Sequence, residues 1–150
     1  MLMAYSHVAH DCVVGDGVIL ANGATLAGHV EVGDNVIVGG LAAIHQFSRI
    51  GDHAFISGGS MVTSDILPFC TAQGDRASLV GLNTEGLRRR GFESEEIKVL
   101  KRAYRTLFRS GLPLQEALEQ LEREENSAAV LALLGFARKS HRGLARPRNQ

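Results

Sequence analysis

Six histidines occur in the 150 residues, and five of them, His7, His10, His29, His45 and His53, fall within the first 53 positions. Imidazole titrates near pH 6.5, so it is the side chain best suited to take up and release a proton close to neutrality. The same ring nitrogens bind zinc, for which three histidines and a water are a familiar donor set. His10 is followed directly by Asp11. A carboxylate beside an imidazole can fix its tautomer and stabilise the imidazolium that forms when it acts as a base. The His10-Asp11 pair therefore favours proton transfer from a hydroxyl, while spacing alone leaves the metal reading open. A lone histidine is most simply a solvated surface residue; a cluster is not.

A second group is Asn83, Glu85 and the run Arg88, Arg89, Arg90. Three adjacent arginines suit a solvated basic turn, but with Asn83 and Glu85 beside them a pyrophosphate contact becomes the better reading, because planar guanidinium groups pair with phosphate oxygens. Arg102, Arg105 and Arg109 recur at helical spacing, as an ordinary charged face would. Cys12 and Cys70 are far apart, without the spacing of a metal or redox motif, and read as small buried side chains in a reducing compartment.

The histidines need a scaffold, and the sequence supplies a period of six. Val8, Val14, Leu20, Leu26, Val32, Val38, Ile44, Ile50, Ile56 and Val62 are all aliphatic. Four places after each comes a second small or β-branched residue, from Cys12 and Val18 to Ser60 and Ile66. Six matches neither a helix nor a hairpin strand, but it matches the hexapeptide β-helix, in which three hexads form one coil of a triangular prism. On an 18-residue cycle His7, His10, His29 and His45 leave remainders of 7, 10, 11 and 9, near one corner, whereas His53 leaves 17. The expected fold is mainly β: a left-handed parallel β-helix over residues 1–67, followed by a small helical region.

The period stops after Val62, and Pro68 marks the exit. Residues 68–92 read as a loop punctuated by Gly74, Gly81, Gly86 and Gly91. Residues 93–143 read as helices: one capped by Ser94 with an apolar stripe through Ile97, Leu100, Tyr104 and Leu107, a second from Pro113, and a third capped by Ser127. Residues 144–150 read as a flexible tail.

Sixteen basic residues balance sixteen acidic ones, which gives no support to nucleic-acid binding. Apolar stretches are broken every few residues, so no membrane insertion is expected. The first residues have neither a basic leader nor a small-residue cleavage site, and the expected compartment is the cytoplasm.

Several segments resemble the UDP-N-acetylglucosamine acyltransferase family of lipid A synthesis, in its C-terminal portion. They are His7-Val8-Ala9-His10-Asp11, Leu20-Ala21-Asn22 with Ala24-Thr25-Leu26-Ala27-Gly28-His29, Ile44-His45-Gln46-Phe47, and the run from Gly81 through Asn83, Glu85 and Arg88-Arg89-Arg90 to Phe92. The resemblance implies transfer of a 3-hydroxyacyl group from acyl carrier protein to the glucosamine 3-hydroxyl of UDP-N-acetylglucosamine, in a Gram-negative cytoplasm. It implies His10 as general base, Asp11 as its orienting partner and the Gly28 N–H as oxyanion donor. His7, His29, His45 and Gln46 would contact sugar or nucleotide, Asn83, Glu85, Arg89 and Arg90 would bind UDP, and Gly58 would open the groove to a longer acyl chain. It further implies a homotrimer and no cofactor or metal, the donor's phosphopantetheine arm carrying the acyl group. Arg76 departs from the histidine frequent in relatives, and family members carry further coils ahead of the position where this chain opens. Two other readings stay open: a trimerising, UDP-binding fragment without catalysis, and a metal-dependent β-helix enzyme of the γ-carbonic-anhydrase type.

Overall fold

A computed structural model describes residues 1–124 and 127–148 of the chain. Its first half is a parallel β-solenoid built from two-residue strands. One face stacks β1 (His7–Val8), β4 (Thr25–Leu26), β7 (Ala43–Ile44) and β10 (Met61–Val62); a second stacks β2 (Val13–Val14), β5 (Glu31–Val32) and β8 (Arg49–Ile50). The third face orders β3 (Ile19–Leu20), β6 (Ile37–Val38), β9 (Phe55–Ile56), β11 (Cys70–Gln73) and β12 (Ser78–Leu82). Each residue pairs with its equivalent eighteen positions on, as His7 with Thr25 and Ile37 with Phe55.

The six-residue period has two physical sources. From Leu20 to Val62 every inward aliphatic is at most 3% exposed. The corners supply the other source: Tyr5, Asp11, Gly17, Gly23, His29, Asn35, Leu41, Phe47, His53 and Gly59, again six apart, all have φ between 58° and 72°. That conformation costs a non-glycine residue about 1 kcal/mol or more. Burying one Leu or Ile is worth about 1.5–3 kcal/mol, so each inward side chain outweighs its corner. The corner N–H groups are also paired: His29 N–H donates to the His10 carbonyl at 3.1 Å, and His53 N–H to that of Asp34 at 2.9 Å. In the first coil Val8 and Val14 are 38% and 37% exposed.

Residues 68–92 are not the expected loop. The solenoid continues into β11, whose Thr71 pairs with Phe55, so the register drops from eighteen residues to sixteen. Phe69 takes the left-handed corner that the period would assign two residues later, and that shortening hides the last coil from a count by six. β12 returns antiparallel to β11. It leads to α1 (Thr84–Arg89), whose N-cap is Asn83.

The helical region comprises α2 (Ser94–Arg109), α3 (Leu114–Glu124) and α4 (Ala128–Arg138). Ser94 is the first residue of α2 rather than its cap. The N-cap is Glu93, which forms a reciprocal capping box with Glu96 and leaves the serine hydroxyl no part. Ser127 caps α4 as expected.

The tail is docked rather than loose. Ala145 N–H donates to the Asp65 carbonyl at 2.9 Å, Asp65 N–H to that of Gly143 at 2.9 Å, and Leu79 N–H to that of Arg146 at 3.1 Å. Asp65, 1% exposed, also accepts from Arg49 N–H at 2.8 Å and the Ser140 hydroxyl at 2.6 Å. Single-residue bridges of this kind carry no sequence period. Asn149 and Gln150 lie outside the described residues.

Candidate active site

Each corner repeats two outward positions every eighteen residues. On the corner between the β1–β4–β7–β10 and β2–β5–β8 sheets, one position stacks His10, Gly28 and Gln46, and the next stacks Asp11, His29 and Phe47. His10 Nδ1 lies 2.9 Å from Asp11 Oδ2, and His29 Nε2 lies 3.8 Å from the same oxygen. The two imidazoles meet edge to face with centroids 5.1 Å apart, and His29 stacks on Phe47 at 4.7 Å. The hydrogen bond from His10, followed by the charge of His29, holds the Asp11 carboxyl below its ordinary range. An ionised carboxylate only accepts, so neutral His10 donates from Nδ1 and keeps the lone pair of Nε2 for a proton.

Gly28 lies under His10. A Cβ there would come within 2.8 Å of His10 Cε1 and 2.9 Å of Nε2, so a larger residue would displace the ring. Among the described residues the Gly28 N–H has no protein acceptor. A base with a free N–H beside it suits acyl transfer, in which a hydroxyl loses a proton while a carbonyl oxygen gains charge. His10, Asp11 and His29 also place ligand atoms within 4.8 Å of one another, all exposed. Donor spacing alone does not separate a proton-transfer centre from a cation site.

Of the four histidines expected on this corner, only His10 and His29 touch. His7 points outward from β1, and His45 lies exposed at the corner's edge beside Gln46. Among the described residues neither ring makes a hydrogen bond to the pair.

Asn83, Glu85, Arg89 and Arg90 come together elsewhere. They line a cavity of about 330 Å³ with Asn35, Ile37, His53, Phe55 and Gly86, against the corner between the β2–β5–β8 and β3–β6–β9 sheets. Asn83 Nδ2 donates to the His53 carbonyl at 3.0 Å, its Oδ1 accepts from Gly86 N–H at 3.2 Å, and Arg89 pairs with Glu85 at 2.6 Å. Sequence reasoning missed His53, whose phase sets it apart from the other histidines; sharing a phase with Asn35 was the available signal. Burial lowers the pKa of His53, Asp52 opposes, and Arg90 lowers it further. Gly58 lies exposed on the third corner, where a Cβ would stand 3.2 Å from the Gly40 carbonyl oxygen. Arg76 is exposed outside both groups. A larger groove of about 460 Å³ between the β2–β5–β8 sheet and α4 holds none of the expected site residues.

The family model described as UDP N-acetylglucosamine O-acyltransferase, domain 2, matches residues 65–145. The chain belongs to this family. A bacterial transferase hexapeptide model matches residues 1–28. An acyl-[acyl-carrier-protein]–UDP-N-acetylglucosamine O-acyltransferase from Janthinobacterium sp. is 51% identical over 150 aligned residues, covering 97% of this chain and 57% of the relative. Its counterpart from Thermodesulfovibrio yellowstonii is 53% identical over 146 residues, with the same coverage. The solved UDP-N-acetylglucosamine acyltransferase from Campylobacter jejuni superposes with a TM-score of 0.91 at 47% identity, over 95% of this chain and 56% of that one. The Arabidopsis enzyme gives 0.90 at 44% identity, over 93% and 52%. The chain thus spans a little over half the length of these UDP-N-acetylglucosamine acyltransferases. The domain 2 match contains α1 and the arginine run; the first corner lies before it.

Proposed function

We propose that the chain is an acyltransferase that moves a 3-hydroxyacyl chain from acyl carrier protein to the glucosamine 3-hydroxyl of UDP-N-acetylglucosamine, the first step of lipid A synthesis. The observation that carries the reading is the His10-Asp11 pair set over Gly28, whose N–H has no protein acceptor among the described residues. His10 Nε2 takes the proton of the 3-hydroxyl, and the oxygen attacks the thioester carbonyl carbon. A C–O bond forms, the carbonyl oxygen becomes an oxyanion, and the Gly28 N–H donates to it, a contact worth about 3 kcal/mol in acyl transfers. The intermediate then expels the phosphopantetheine thiolate, which takes the proton back from His10. No cofactor enters.

His7, His29, His45 and Gln46 surround the sugar, and Asn83, Glu85, Arg89 and Arg90 hold the uridine diphosphate. The two groups sit on different corners of the prism, with the β2–β5–β8 sheet and α4 between them. One substrate reaches both only if a second copy brings its corner alongside, which favours a homotrimer with sites between neighbours. The open corner at Gly58 leaves room for a longer acyl chain. Arg102, Arg105 and Arg109 are exposed or nearly so along α2 and without an ion pair among the described residues, a surface suited to an acidic carrier protein. Among the described residues no helix is long and apolar enough to cross a membrane; the cytoplasm is the compartment we assign. Incubation with a 3-hydroxyacyl carrier protein and UDP-N-acetylglucosamine tests the function. Formation of the 3-O-acyl sugar nucleotide is expected. Binding of UDP-N-acetylglucosamine with no turnover at any pH would favour a trimerising, nucleotide-binding module instead.

A further inference from the structure

His53 is the one histidine of the coils that the proposed chemistry leaves without a part, and the only one of the five that is half-buried rather than exposed. It holds a left-handed corner with φ of 60°, and it touches α1 at both ends. At the N-terminal end its main-chain carbonyl accepts from Asn83 Nδ2 at 3.0 Å, and Asn83 caps the helix through Gly86 N–H. At the C-terminal end its ring meets Phe92 edge-on with centroids 5.0 Å apart, and Phe92 N–H donates back to the Leu87 carbonyl at 3.0 Å. Phe69 lies nearly parallel to the imidazole at 5.9 Å, and its carbonyl accepts from Asn83 N–H at 2.8 Å. α1 is six residues long, too short to hold its shape without such supports.

We infer that His53 is a positioning residue: by clasping both ends of α1 it sets Arg89 and Arg90 in the cavity where a nucleoside diphosphate sugar binds. The inference rests on the nucleotide role proposed for that cavity. The clasp has two separable parts, a corner backbone that aims the carbonyl at Asn83 and a flat ring that packs on Phe69 and Phe92. The ring contributes through its faces and edge, so its aromatic character is what the helix requires.

Two variants separate these parts. His53→Asn suits the left-handed corner and keeps the carbonyl, but removes the ring. His53→Phe keeps a ring, and Phe47 and Phe69 show that this chain places phenylalanine at left-handed corners. Affinity for UDP-N-acetylglucosamine, measured by calorimetry, is compared for the parent, both variants and Arg90→Ala. Loss of two aromatic contacts should weaken binding by His53→Asn about tenfold. His53→Phe should restore affinity to within about twofold of the parent. If the parent and Arg90→Ala differ while His53→Asn binds like the parent, the inference is overturned and the nucleotide role stands. If His53→Phe is as weak as His53→Asn, the ring contact is not what holds α1, and the inference again fails. A parent that binds no UDP-N-acetylglucosamine overturns both.

Discussion

The Cα of Gly28 lies beneath the imidazole of His10, so that a Cβ added to it would stand 2.8 Å from Cε1. Its φ is outside the left-handed region, so the backbone would accept alanine and the strain would fall on the ring above. Gly28→Ala should therefore leave the melting temperature close to that of the parent. It should lower kcat about 10²-fold, the cost of a misplacement near 1 Å in a catalytic group. Steady-state kinetics beside a thermal melt checks both halves.

Arg90 is exposed at the C-cap of α1 and lines the cavity with Asn83 and Glu85. Arg90→Ala should weaken UDP-sugar binding by about tenfold or more, the loss expected for a charge-assisted contact to phosphate. The catalytic step should change less. Calorimetry reads the affinity, and equal values for variant and parent would remove the nucleotide role.

Asp65 joins the prism to the tail. Asp65→Ala would leave the Arg49 N–H and the Ser140 hydroxyl without their acceptor in a site that is 1% exposed. The expected loss is about 2–3 kcal/mol in urea unfolding, with UDP-sugar affinity unchanged in the folded protein. Stability within 0.5 kcal/mol of the parent, about the scatter of surface changes, would show the tail docks independently.

The imidazole of His53 is held below its ordinary 6.5 chiefly by burial, with Asp52 and Asp34 opposing and Arg90 assisting. The unfolded chain then binds a proton at His53 before the folded protein does, so stability rises with pH in that window. The contribution is complete above about pH 6.5 and is lost as pH falls through the lower, folded pKa. Melting temperatures from pH 7.5 down to 5.5 should decline more steeply for the parent than for His53→Asn. Parallel profiles would assign the pH dependence to other groups.

The coils could be read in the sequence because burial along the prism axis imposes the same demand at every sixth residue, from Val8 to Val62. His10 and Asp11 could be read because they are neighbours, and His29 because the eighteen-residue coil brings it back over them. The contacts of His53 could not: Phe69 reaches it only through a coil two residues short, and Phe92 only through a helix that looked like a loop. Gly74 and Gly81 read as loop punctuation but serve the strand pair, with φ of 98° and 133°. His7 and His45 fall near the same corner as His10 and His29 without touching them, because a difference of one or two residues moves a side chain from corner to face.

In the assembly we propose, His10 of one copy and the Arg90 cavity of its neighbour serve one substrate. The direct measurement mixes subunits of His10→Ala and Arg90→Ala and follows acyl transfer to UDP-N-acetylglucosamine. With UDP-N-acetylglucosamine held well below the parent's KM, each variant alone should be strongly impaired, His10→Ala in the chemical step and Arg90→Ala through weaker binding, and size-exclusion chromatography checks that both assemble like the parent. Subunits unfolded together and reassembled should recover about a quarter of the parent activity, the share of interfaces that pair an intact corner with an intact cavity. Mixed assemblies no more active than the two variants kept apart would contradict a site shared between copies.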